Sequence, residues 1–344
     1  MLRLSLLVSL GAAMIAVMVL WFAFGGSGPA VEARYDLENC RRVDLRDSFT
    51  GKLLAGVSDM ALLPDGDTLV LAALDRTDQT LPFGGLFGVS LFELERGAPV
   101  LEVEAIVKPY DLAGGVYPEG IDYDASSGRL ALINNVGGEG TAVIDVIERQ
   151  DELWSPVARH MHDAFCRASD VAFDFGGNLL VTRDRAICHL SVMDAMPFYP
   201  TGLMLVVTPD GTVRATEDRF FLPNGIVIGP TGLPIVAEMR AEKLTGDIDR
   251  PMPGGPDNLT IDEDGGVVAA LHPSLWKFFF YLNGFAFSSP SRVVRFDPGS
   301  SQLEILLDDP GGDLLSAVGV ALLEEERLYL GSVTDDGIGI CEPS

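Results

Sequence analysis

Asp257 and Asn258 stand side by side at the head of one apolar run, and His272 closes the run that follows. Between them lie Leu259, Ile261, an acid- and glycine-rich turn at 262–266 and the apolar residues 267–271. Two such runs around such a turn read as an antiparallel hairpin, which brings its end back beside its start. A carboxylate, an amide and an imidazole then share one neighbourhood. Carboxylate and amide oxygens are hard donors for a metal ion, and imidazole is a proton carrier.

The same unit recurs along the chain: a small or polar pair, an apolar strand, a turn with Asp, Gly or Pro, and a second apolar strand. It starts at Ser58-Asp59, Glu119-Gly120, Ser169-Asp170, Asn224-Gly225, Asp257-Asn258 and, more weakly, Ser316-Ala317. Most intervals run from 50 to 61 residues, enough for a four-stranded sheet. The interval of 33 before Asp257 implies one shorter sheet. Strands in this rhythm, without long helical periodicity, predict an all-β chain folded as a six-bladed β-propeller. Residues at equivalent places in successive blades should converge on the central axis.

The chain has 344 residues and a net charge of −26, with 38 glycines and 21 prolines as a turn-rich β protein needs. No basic stripe is present, so nucleic acid is excluded as a partner class. Residues 4–24 carry no charge and follow Arg3. That length suits an uncleaved signal anchor, with 1–33 as apolar helix and linker and 34–344 as the propeller outside the cytoplasm. The alternative is a secreted chain, because Val31-Glu32-Ala33 has the small-residue pattern of a cleavage site. Export allows the four cysteines to pair. Cys40 and Cys341 would tie the termini together; Cys166 and Cys188 flank a hairpin and are either a second bond or two buried thiols.

The segments PEGIDYD, ASDVAFD, LPNGIVI, PDNLTID with ALHP, and the closing RLYLGSV and CEPS resemble the paraoxonase/arylesterase family. Gluconolactonase and strictosidine-synthase-like propellers share that architecture. The resemblance implies a calcium-dependent six-bladed propeller with two ions in the central tunnel. It implies that Asn224, Asp257 and Asn258 ligate the catalytic calcium. Asp59 and Asp170 would ligate a structural calcium, completed by the backbone carbonyl near Ile121.

Several positions depart from the family pattern. Ser58 replaces a glutamate ligand, Ser169 an asparagine ligand, and Glu119 and Asn135 two histidines; His272 is retained. Glu119 heads its unit as Asn224 and Asp257 head theirs, so it could supply the missing carboxylate, or it could simply pair within the tunnel. Waters, or the Ser58 and Ser169 hydroxyls, would then fill the rest of the metal shell. No Gly-x-Ser-x-Gly elbow surrounds any serine at a unit start, which argues against a serine nucleophile. His160 and His162 lack a ligand cluster, and the Asn258-Leu259-Thr260 sequon lies where a glycan would block the axis. The apolar run at 276–282 is expected to be a packed strand or lid, with a membrane- or substrate-facing patch as the alternative.

The expected activity is calcium-dependent hydrolysis of small esters or lactones, with His272 or Glu119 as general base. A non-enzymatic propeller that keeps only a structural ion is the alternative.

Overall fold

The computed structural model describes residues 31–77, 83–107, 111–136, 142–151, 153–185, 188 and 199–343. The apolar segment at 4–24 lies outside the described residues, and among those described no helix is long and apolar enough to cross a membrane. The Val31 N–H donates to the Asp308 carboxylate at 2.7 Å, and the Arg34 and Tyr35 N–H groups reach the Ile305 and Leu306 carbonyls, each at 2.9 Å. Residues 31, 34 and 35 are thus bonded to the 305–308 segment.

The body is nearly all β, in a propeller-like arrangement of sheets. Four sheets have four strands each, and each is a meander of sequential antiparallel strands. One runs through Pro118–Asp124, Arg129–Asn134, Val143–Gln150 and Leu153–His160. The sheet opened by Pro223–Ile228 ends in the short strands Lys243–Gly246 and Arg250–Pro251, as the short interval before Asp257 implies. A fifth sheet has eight strands because Cys40–Asp47 joins two groups. Its first half pairs antiparallel with Ile338–Cys341, and its second half pairs parallel with Val100–Ala105. N-terminal and C-terminal strands thus share one sheet, and Cys40 faces Cys341 directly in register. These two cysteines are bonded, as are Cys166 and Cys188.

The inner strands Val57–Leu62, Pro118–Asp124, Ala168–Phe173, Pro223–Ile228, Gly255–Ile261 and Val318–Glu324 pack on one another in sequence order, and the last packs on the first. Sheets stacked in this way are buried on both faces. Their second strands are accordingly near-continuous apolar runs, such as Val267–His272, which is buried throughout. Aspartates close the hairpin turns. The Asp262 carboxylate accepts the N–H groups of Asp264 and Gly266, and that of Asp174 accepts those of Gly176 and Asn178.

One expectation is corrected. The run at 276–282 is not a strand but part of the helix Leu275–Leu282, capped by the Ser274 hydroxyl, which accepts the Lys277 N–H. A short apolar run does not distinguish helix from strand by periodicity, and here the cap and the following Asn283-Gly284 decide it.

Candidate functional site

The ladder slips at the same place in every inner strand: between Val57 and Asp59, Pro118 and Ile121, Ala168 and Val171, Pro223 and Ile226, Pro256 and Leu259, and Val318 and Val320. Residues set outside the ladder at a bulge are re-aimed from the sheet faces. They are Ser58, Glu119-Gly120, Ser169-Asp170, Asn224-Gly225, Asp257-Asn258 and Gly319. A second regularity fixes the same register. Gly56, Arg167, Leu222 and Ala317 stand two residues ahead of Ser58, Ser169, Asn224 and Gly319, all with φ between 52° and 65°. Each non-glycine residue in that left-handed conformation costs about 1–2 kcal/mol. The repeated strain marks one repeated turn that delivers the chain to the axis. It also moves the last unit: Gly319, not Ser316, is equivalent to Asn224.

Asp257 is 5% exposed. Its carboxylate accepts the Asn224 amide on Oδ1 and the His272 Nε2–H, at 2.8 Å, on Oδ2. His272 is fully buried, stacked on Phe278 of the overlying helix with ring centroids 3.7 Å apart. Its ring orients Asp257 and does not meet solvent. Asn258 donates from Nδ2 to the Ser58 carbonyl at 2.6 Å. Its Oδ1 is buried and has no hydrogen-bond partner among the described residues. A buried acceptor without a partner is costly unless something fills it.

Glu119 is held differently. Its Oε2 accepts Arg76 at 2.8 Å and Asn135 at 3.2 Å. Arg76 also donates to the Ser58 hydroxyl, and the Ser58 hydroxyl in turn donates to the Glu119 carbonyl. The remaining Arg76 bonds reach the Leu74, Gly56 and Val333 carbonyls. Arg76 is the residue that sequence reasoning missed: Asp-Arg-Thr-Asp reads as a solvated loop, and nothing in it signals an axial cation.

Asp59 and Asp170 act between strands. Asp59 accepts the Met60 and Ile121 N–H groups on its two oxygens, and Asp170 accepts those of Val171 and Ile226. Ile121 thus meets Asp59 through its N–H. Asp122 continues the series, accepting the Phe173 N–H at 2.7 Å. Burial holds the Asp59 and Asp170 carboxyl groups well above the usual carboxylate range, and their neighbouring acids push them further up. Burial also pushes Asp122 up to about 6. A carboxyl raised in the folded state stabilises the fold below its unfolded value and loses that contribution as pH rises through about 6. Asp122→Asn should therefore lower stability at pH 4.5 relative to pH 7.5 by about 2 kcal/mol in denaturant titrations.

Asp257 and Asn258 offer neighbouring oxygen atoms, one of them the unpartnered Asn258 Oδ1, and this pair suits an oxygen-ligated ion, whereas Asn224 meets Asp257 through its amide nitrogen. Glu119 does not join it, because its carboxylate is neutralised by Arg76. Among the described residues no group of three or more His, Cys, Asp or Glu side chains is disposed around a metal position. Ser169 is half-buried at its equivalent place on the ring.

Glycines allow the close approaches here. A Cβ on Gly120 would lie 2.3 Å from Asp170 Oδ1, so the Glu-Gly pair needs its glycine for the strands to meet. A Cβ on Gly319 would lie 3.2 Å from Asp257 Oδ2 and 2.9 Å from a Val333 methyl. Gly319→Ala is expected to push the Val333 methyl aside and press on Asp257, costing about 1–3 kcal/mol by overpacking. A thermal unfolding scan would show it, and an unchanged midpoint would contradict the placement. Elsewhere, Thr260 and Asn258 of the sequon are buried, and the Thr260 hydroxyl donates to the Ala321 carbonyl. His160 and His162 lie in no ligand cluster.

No family model matches the chain, and no curated protein matches it. Among solved structures, a putative gluconolactonase is similar over 92% of this chain and 98% of its own, at 13% identity and a TM-score of 0.54. A gluconolactonase from Xanthomonas campestris, described as important in glucose secondary metabolic pathways, covers the same shares at 17% identity and a TM-score of 0.52. At these identities the likeness shows the propeller-like fold.

Proposed function

We propose that this chain is a six-bladed propeller that hydrolyses small esters or lactones at its axial ring. The observation that carries the reading is the ring of bulges, which gathers a buried carboxylate and a buried acceptor without a partner at one point. The two similar solved structures, both described as gluconolactonases, support a lactonase-like activity coarsely.

In this reading Asp257, Asn258 and Asn224 would hold a calcium ion, whose chemistry when bound is to polarise the ester carbonyl and stabilise charge on its oxygen. His272 keeps Asp257 in place from the buried side. Glu119 accepts the proton of the attacking water: Arg76 and Asn135 both fix Oε2, leaving Oε1 for that role. Asp59 and Asp170 serve as clips between strands. Export is part of the proposal, with residues 4–24 as anchor or cleaved leader, and the two disulfides support it.

The binding-module reading draws on the Arg76–Glu119 pair, which neutralises the axial carboxylate most open to solvent. Calcium titration and turnover of aryl esters and lactones, with and without a chelator, separate the two. Glu119→Gln should leave calcium affinity within about twofold but lower turnover by on the order of 10²–10⁴-fold, the usual contribution of a general base. Glu148→Gln, on the strand Val143–Gln150 and paired with Arg129, should change neither. A folded wild type without turnover across the panel would favour the binding module.

A further inference from the structure

The Cys166–Cys188 bond is set against a buried cation. Arg183, 7% exposed, places one guanidinium nitrogen 3.0 Å from the Cys166 sulfur and 3.5 Å from the Cys188 sulfur. Cys166 is 5% exposed, whereas Cys188 is only half-buried. In the other bond Cys341 is fully buried and Cys40, like Cys188, is half-buried, but no guanidinium stands against either sulfur among its described contacts.

We infer that Cys188 is a site of thiolation, at which a small-molecule thiol forms a mixed disulfide by exchange. The thiolate of the incoming molecule attacks the more accessible sulfur, that of Cys188. The new sulfur–sulfur bond forms there as the Cys166–Cys188 bond breaks, and its electron pair leaves on the Cys166 sulfur. That leaving thiolate is the sulfur nearest to Arg183, so the guanidinium stabilises the charge as it develops. A thiol whose anion is stabilised by a neighbouring cation leaves faster and is less easily reprotonated. No external oxidant or reductant is consumed in this step; a second thiol molecule would complete reduction, releasing the symmetrical small-molecule disulfide.

The place gives the exchange a structural reach. Arg183 pairs with Ala168 across the hairpin, and the adjacent Thr182 hydroxyl accepts the Asp170 N–H and donates to the Asn224 carbonyl. The bond therefore lies next to the strands that deliver Ser169 and Asn224 to the axis.

Native protein incubated with reduced glutathione, acid-quenched and mapped by mass spectrometry tests the assignment. The expected product carries glutathione on Cys188 and a free thiol on Cys166, with Cys40–Cys341 intact. Arg183→Gln should slow opening by about tenfold, and Arg183→Lys should restore most of the rate. The adduct on Cys166, equal rates in Arg183→Gln, or a Cys166–Cys188 bond that opens no earlier than Cys40–Cys341 would overturn the assignment. Should Arg183→Gln fail to fold, the wild type decides alone. Ultraviolet thiolate absorbance of the opened protein should titrate below the ordinary thiol value of about 8.5, and an ordinary value would overturn it.

Discussion

Replacing Cys40 and Cys341 together by alanine is expected to remove on the order of 5 kcal/mol of unfolding free energy. The bond closes a loop with a sequence separation of 301 residues, and its two cysteines already face each other across paired strands. Its stabilisation should therefore come from restricting the unfolded chain more than from any new native contact. The local consequence is specific. Cys40–Asp47 is the strand shared by the first and last groups of the eight-stranded sheet, so losing the bond loosens the place where the ring closes. Removing Cys166 and Cys188, with a separation of 22, should cost less, about 3 kcal/mol in the same chain-entropy picture. Urea titrations of the two double variants compare them directly. A smaller loss for the Cys40/Cys341 variant would contradict the closure role.

Asp257→Ala should be the most damaging single change at the axis. It removes the acceptor for two donors, His272 Nε2 and Asn224 Nδ2, of which the first is fully buried. Each buried donor left without a partner costs about 1–3 kcal/mol, so a loss of about 3 kcal/mol is expected. Asp257→Asn keeps the shape and an acceptor oxygen, and about 1 kcal/mol is expected for it. Thermal unfolding would rank the two, and equal effects would show that Asp257 is not the hub of this network.

Much of the fold was legible because the propeller repeats its physics. Asp-Gly turns, apolar second strands and polar pairs at unit starts recur often enough for the register to be read by eye, and the terminal cysteines mark the closure. Those pairs share one register, for the bulges lie at Ser58, Glu119, Ser169, Asn224 and Asp257. What was hidden depends on contacts between distant segments. Arg76 reaches the axis from a loop that looks solvated. The last unit was misplaced by its weak Ser316 start, whereas the left-handed turn at Ala317 assigns the axial place to Gly319. His272 was legible as a partner of Asp257. Its burial was not, because Phe278 covers it from a helix whose apolar run also suits a strand. Asp59 and Asp170 sit at unit starts as expected, yet their oxygens are taken by backbone N–H groups of the neighbouring strands, a use that sequence cannot distinguish from metal ligation.

Turnover of an ester and lactone panel by Asp257→Asn, beside the wild type and Glu148→Gln, tests the axial site most directly. The wild type and Glu148→Gln should hydrolyse the same substrates at the same rate. Asp257→Asn, still folded, should lose on the order of 10²–10³-fold, as when a fixed electrostatic element of a site is removed. Wild-type turnover that survives unchanged in Asp257→Asn would place the chemistry elsewhere and contradict the account.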